Sequence, residues 1–203
     1  IAGDVDLVQD VPVQDIEVLK RNASLRVNQG PENRTIFLGM DVASPELKTS
    51  NIKSKNPFAD RRVRQAVSMA IDRAAIKRSV MRGQSGPAGV VAPPFVNGYT
   101  KELDRLPKVD VGKAKALLKD AGDADGFEIT LHCPNDRYIN DGDICLSATA
   151  MLAKIGIKVN LVAQPKGQHF SLIQKSPPET DFYLLGWGVP TYDSHYIFNF
   201  LYH

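Results

Sequence analysis

The chain has 203 residues and a formal net charge of +2, from 25 Lys and Arg against 23 Asp and Glu. That length suits one sizeable domain with a real core, and so small a charge gives no argument for nucleic acid or an anionic membrane as partner. Apolar residues form no run of about 18, so no transmembrane helix is expected. The chain opens at Ile1 without Met and stops at His203 inside a helical pattern. It is therefore expected to be a mature or excised segment of something longer.

Taken in order, residues 3–8 read as a short strand after a turn, and Pro12 starts a helix carrying Val13, Ile16, Val18 and Leu19 that ends near Asn22. Residues 24–29 alternate Leu25 and Val27 with polar neighbours, the pattern of a half-buried strand, and Gly30-Pro31 breaks it. Residues 34–41 are a strong β run, and the polar stretch 44–55 is expected to be an exposed loop insertion. Residues 56–78 form a helix pair with a clear start. Pro57 keeps Asn56 extended, Asp60 caps the first helix, and Val63, Ala66, Val67, Ala70 and Ile71 share one face. Arg61, Arg62 and Arg64 fall on a wet face, and Asp72 caps a second helix bearing Ala75, Ile76 and Val80.

Residues 83–99 hold Gly83, Gly86, Gly89, Gly98, Pro87, Pro93 and Pro94, a density that means a long ordered loop. Asp110 caps a helix with Ala114, Leu117, Leu118 and Ala121 on one face, and Gly122 stops it. The period then switches. Residues 127–133 alternate as a strand, 143–155 form a helix capped by Asp143, and 157–163 a strand. Residues 165–174 form a short helix with Phe170, Leu172 and Ile173, and 181–187 a strand. Strand-helix-strand-helix-strand argues for an α/β lobe with crossover connections.

Three separate stretches carry a family resemblance. Asn56-Pro57-Phe58-Ala59-Asp60-Arg61-Arg62-Val63-Arg64-Gln65-Ala66, running on to Ala70-Ile71-Asp72-Arg73, resembles the signature of bacterial solute-binding proteins of the dipeptide, oligopeptide and nickel type. Asp110 to Gly122, with Gly126-Phe127 after it, is similar to a second family motif. Leu152 and Ile155-Gly156-Ile157-Lys158-Val159 are similar to a third. The resemblance implies one lobe of a periplasmic-binding-protein fold (type II, cluster C), α/β, with a mixed sheet flanked by helices. Residues 1–30 would be a crossover or edge segment beside the interlobe hinge, and residues 31–203 the second, ligand-binding lobe, with the first lobe absent. It implies a periplasmic, monomeric protein without a cofactor or enzymatic activity. Such a protein captures a small solute (peptide, opine, sugar or similar) and delivers it to the transmembrane subunits of an ABC permease. A peptide-sensing receptor or chaperone of the same fold is the alternative, and a small α/β hydrolase a further one.

No catalytic constellation stands out: the sequence has no Gly-x-Ser-x-Gly, His-Glu-x-x-His, Walker A or Gly-x-Gly-x-x-Gly pattern. His132, His169, His195 and His203 lack metal-ligand spacing. Asp141-Gly142-Asp143 matches a fragment of a calcium loop without its remaining ligands. Cys133 and Cys145, with eleven residues between them, are either two buried thiols or a disulfide worth about 3 kcal/mol by loop entropy. The periplasmic location that the resemblance implies favours the disulfide.

The ligand-binding candidates are Trp187, Gly188, Tyr192 and Asp193, on a loop after a strand where aromatics can stack on a ligand, and Arg137, which can pair bidentately with a carboxylate. In the family the Gly-Trp loop lines the cleft. In its peptide binders the third residue after that Trp is an Asp that pairs with the α-amine. Pro190 stands there in this sequence, without charge or donor. That puts the amine anchor in doubt, and Asp193 matches a second acidic position of the loop.

Overall fold

The computed structural model describes residues 3–175 and 179–201, so the part of the C-terminal helical pattern at Tyr202 and His203 lies outside it. Four strands, β1 (Thr35–Met40), β2 (Phe127–Pro134), β3 (Ile157–Gln164) and β4 (Phe182–Trp187), form one sheet in the order β1-β4-β2-β3. β2 runs parallel to both β3 and β4, and β1 pairs antiparallel with β4, Thr35 opposite Trp187 and Met40 opposite Phe182. The helices are α1 (Ile16–Lys20), α2 (Arg61–Ala70), α3 (Arg73–Ser79), α4 (Val111–Asp120), α5 (Asp141–Ala153), α6 (Lys166–Ile173) and α7 (His195–Leu201). The expected β2-α5-β3-α6-β4 succession is present.

The period-2 pattern sends Phe127, Ile129, Leu131 and Cys133 of β2, with Phe182 and Leu184 of β4, into one core with Val63, Ala66 and Val67 of α2, Ala114 and Leu118 of α4, and Ala148 and Leu152 of α5. Phe58 anchors it, its ring 6.0 Å from Phe127 and 5.3 Å from Phe182. The stretch 56–73 is largely a set of ties around this core. Buried Asn56 donates to the Asp41 and Ser44 carbonyls (3.0 and 2.8 Å) and accepts from the Phe58 N–H (2.8 Å), opening a 3-10 turn at Pro57–Ala59. Asp60 accepts from the Arg62 N–H and guanidinium, which pull its carboxyl down to about 2. Arg62 also reaches the Asp120 carbonyl at the end of α4 (2.6 Å), so it joins two helices rather than merely facing water. Asp72 and Asp110 cap α3 and α4 as expected, and Gly122, at φ +85°, follows α4.

Expectations are corrected in four stretches: residues 3–8, residues 24–29, residues 44–55 and the start of α5. Residues 3–8 and 24–29 form no strand; among the described residues nothing lies alongside to pair them, and Val5, Leu7, Val8 and Leu25 stay exposed. The stretch 44–55 is a loop but not an exposed insertion, for Leu47 is fully buried in the core. It stands in for a strand beside the first half of β2: the Asn51 N–H donates to the Glu128 carbonyl (3.2 Å), Asn51 Oδ1 accepts from the Glu128 N–H (2.7 Å), and Thr49 Oγ1 accepts from the Thr130 N–H (3.4 Å). α5 begins at Asp141 behind Asn140, which adopts φ +54°, so Asp143 lies within the first turn and is not the cap. The short helix α6 forms as expected, with Phe170, Leu172 and Ile173 half-buried; its buried residue is His169, whose Nε2 reaches the Leu184 carbonyl at 2.9 Å.

Candidate functional site

From β2 the chain crosses by α5 to β3 on one side, then returns by α6 to β4 on the other side of β2. The carboxyl ends of the adjacent parallel strands β2 and β4 therefore lie side by side, with the loop after β2 turning away toward α5 and β3, and the carboxyl ends of the strands are where open α/β sheets bind ligands. β1, being antiparallel, brings its beginning to the same edge: Thr35 pairs with Trp187, so Asn33 and Arg34 sit beside the end of β4.

Past the end of β2, no strand among the described residues lies on the β2 side of Gly186 of β4. Tyr138, in the loop between β2 and α5, fills the place: its hydroxyl accepts from the Gly186 N–H at 2.9 Å and donates to the Gly186 carbonyl at 3.3 Å. The loop is shaped by buried Asp141, whose Oδ2 accepts from the Arg137 and Tyr138 N–H groups (3.0 and 2.9 Å) and whose Oδ1 accepts from Gly142 (2.9 Å). A Cys133–Cys145 disulfide, both sulfurs fully buried and the Cα atoms 6.6 Å apart, ties the end of β2 to α5 beneath it. Glycine at 186 is required by packing, since a Cβ there would lie 2.7 Å from Ile36 Cδ1 and Tyr138 Cε1 and 2.9 Å from Arg34 Cδ.

The Arg137 guanidinium carbon lies 4.9 Å from the Tyr138 ring centroid and that of Arg34 lies 5.6 Å from it. Arg34 pairs with exposed Glu32 at 2.7 Å. The exposed Arg137 guanidinium has no hydrogen-bond or ion-pair partner among the described residues.

Beyond β4 the chain is held by Asn33, whose Nδ2 donates to the Val189 carbonyl (2.8 Å) and whose Oδ1 accepts from the Val189 N–H (3.3 Å). Gly188 passes so close to the Asn33 carbonyl that a Cβ would lie 2.9 Å from it. Trp187 packs on α7, 5.8 Å from the Tyr196 ring and 6.2 Å from Phe200, and its buried Nε1 has no partner among the described residues. Tyr192, at φ +54°, exposes its ring and meets Phe95 of the Gly/Pro-rich loop at 6.0 Å. Asp193 already accepts from the His195 N–H at the start of α7 and from Asn97 Nδ2, both at 2.8 Å, and these bonds lower its pKa.

The structure thus brings Arg137 to the edge carrying Trp187 and Gly188, joined through Tyr138, whereas Tyr192 and Asp193 fasten the following turn to residues 95–97. Sequence reasoning missed Tyr138 and Arg34 as site residues. Tyr138 had a signal in standing next to Arg137; Arg34 had none without the β1–β4 register. A depression of about 420 Å³ is lined by Ser79, Arg82, Asn140 and Asp143 among others, and by none of Arg34, Arg137, Tyr138 or Trp187. No group of three or more His, Cys, Asp or Glu capable of holding a metal occurs among the described residues.

The model for bacterial extracellular solute-binding proteins, family 5 (middle region), matches residues 1–203. The glutathione-binding protein GsiB of Salmonella typhi is 28% identical over 193 residues, 93% of this chain and 35% of the relative. The periplasmic binding protein AgaA of A. tumefaciens, solved with agropinic acid, is 27% identical with a TM-score of 0.66 across 93% of this chain and 35% of that one. The murein tripeptide binding protein MppA of Escherichia coli shares the fold at 24% identity and a TM-score of 0.73, over 92% of this chain and 35% of that one. The chain spans about a third of the length of the curated relatives it matches. It belongs to family 5 of the bacterial extracellular solute-binding proteins.

Proposed function

We propose that this chain is one wall of a periplasmic solute trap: it holds a peptide or similar small solute at the β2–β4 edge for delivery to an ABC permease. Residues 31–203 act as the ligand-binding lobe and residues 1–30 as the crossover beside the hinge. The remainder of the protein closes over the solute as the opposing lobe. The action is capture rather than catalysis, by a monomer that needs no cofactor.

The observation that carries this reading is the Arg137 guanidinium above Tyr138, unpaired among the described residues, at the carboxyl ends of the adjacent parallel strands β2 and β4. A guanidinium held on an aromatic face and left without an internal carboxylate suits recognition of an acidic solute group. Family membership supports capture, as do relatives described as binding glutathione and agropinic acid. Trp187, Gly188, Tyr192 and Asp193 form the adjoining loop, Trp187 and Asp193 chiefly by fixing its course.

The test is native mass spectrometry of the full-length protein purified without added ligand, followed by titration of peptides, opines and sugars monitored by Trp187 fluorescence. A small mass shed on activation, and a loss of affinity of about 10- to 100-fold in Arg137→Gln, are expected for one charge-assisted contact. A protein that carries no small mass and binds nothing at millimolar concentration would refute the proposal.

A further inference from the structure

Resting on that reading of the site, we infer that Arg34 and Arg137 together select a solute carrying two carboxylates. Arg34 was not among the residues expected to touch ligand. It arrives from the start of β1, a different part of the chain from the β2–α5 loop, yet the Tyr138 ring joins the two: guanidinium carbons at 5.6 and 4.9 Å from one centroid are at most about 10.5 Å apart, the sum of those distances. Each arginine is positioned from below. The Arg34 Cδ passes over Gly186, where a Cβ would lie 2.9 Å from it, and the backbone N–H of Arg137 is held by Asp141.

The surrounding carboxylates leave this pair available. Asp141 is buried and turned toward backbone N–H groups, and Asp136 Oδ1 accepts from the Lys166 N–H at 2.6 Å. Among the described residues, Glu32 alone meets a guanidinium of the pair. It is an exposed partner, and exposed ion pairs are weakly held, so a solute carboxylate can take its place on Arg34. Apart from exposed Glu32, whose pairing is weak for the same reason, the same edge offers little to a cationic group. Pro190 has neither charge nor donor, and Asp193 already receives two N–H donors, from His195 and Asn97. A solute recognised here is therefore chosen by its acids and tolerates a blocked amine.

Calorimetric titration of the full-length protein with alanyl-glutamate, alanyl-glutamine and N-acetyl-alanyl-glutamate tests this, because the first two match in size and differ in one carboxylate. Alanyl-glutamate is expected to bind about 10- to 100-fold more tightly than alanyl-glutamine, and acetylation to change affinity by less than about 3-fold. Arg34→Gln and Arg137→Gln should each bring the two dipeptides to within about 3-fold of one another, with Arg34→Lys keeping part of the gap. Unchanged thermal unfolding in the exposed Arg137→Gln variant keeps the comparison free of misfolding. Equal binding of the two dipeptides, or a gap that survives Arg34→Gln, would overturn the dicarboxylate inference and leave solute capture standing. Silence across the panel together with no retained small mass would overturn both.

Discussion

Replacing Tyr138 with Phe isolates the one atom that completes the sheet at the site. The ring and its two guanidinium neighbours stay, and only the hydroxyl is lost. That hydroxyl is the partner of both the N–H and the carbonyl of Gly186, at 2.9 and 3.3 Å. The shorter bond is the significant one. Its loss leaves a half-buried backbone donor unpaired, which costs about 1–2 kcal/mol, whereas the longer contact to the carbonyl contributes little because that oxygen keeps a second lone pair. For a domain of this size such a loss lowers Tm by roughly 2–8 °C. Urea and thermal unfolding of the full-length protein measure it, with Tyr138→Leu as the comparison that also removes the ring. The Phe variant should lose stability and bind solute more weakly because the end of β4 is no longer held. If it unfolds within about 0.3 kcal/mol of the parent, inside the usual range for inconsequential surface changes, the hydroxyl does not act as the missing strand.

Other outcomes follow from the same geometry. Exchanging Cys133 and Cys145 for Ala together should cost about 3 kcal/mol in urea unfolding from the loop closure alone, and both sulfurs are fully buried, so native protein should resist dithiothreitol until denaturant is added. Gly186→Ala should destabilise by about 1–3 kcal/mol and weaken solute binding, since its Cβ would lie 2.7 Å from Tyr138 Cε1; normal unfolding would refute that close approach. Burial holds His169 and His132 below their ordinary pKa of 6.5. The unfolded chain then takes up protons before the folded one, so stability present above pH 6.5 declines as pH falls below it. Urea midpoints between pH 7.5 and 5.5 should show the decline, and His169→Gln should make it shallower, leaving the share due to His132.

Most of the scaffold was legible because its information is local. Asp60, Asp72 and Asp110 each cap a helix within their own turn, and the alternation of Phe127, Ile129 and Leu131 fixes which face of β2 is inward. The stretch 44–51 was misread because its polar side chains satisfy β2 rather than water, and polarity alone does not distinguish the two. Residues 24–29 were misread because a period-2 pattern specifies a face without specifying a neighbour, and a strand needs both. Asp143 lost the cap position to Asn140 because the loop before α5 is set by Asp141 and by the Asn140 amide donating to the Val80 carbonyl, contacts that span 60 residues in the second case.

The site was half legible for a related reason. Arg137 and the Trp187 loop each advertise themselves by residue type, but what unites them is register. An antiparallel β1 puts Arg34 beside the end of β4, and a β2 that stops one step short leaves Gly186 open to Tyr138. Shifting β1 by one residue would turn Arg34 to the other face of the sheet and leave Arg137 alone on the ring. The dicarboxylate preference is therefore a property of strand pairing as much as of composition. It is expected to persist in relatives that keep a cation before β1, a Tyr in the β2–α5 loop and Gly at the end of β4, and to fail where any one of the three is replaced.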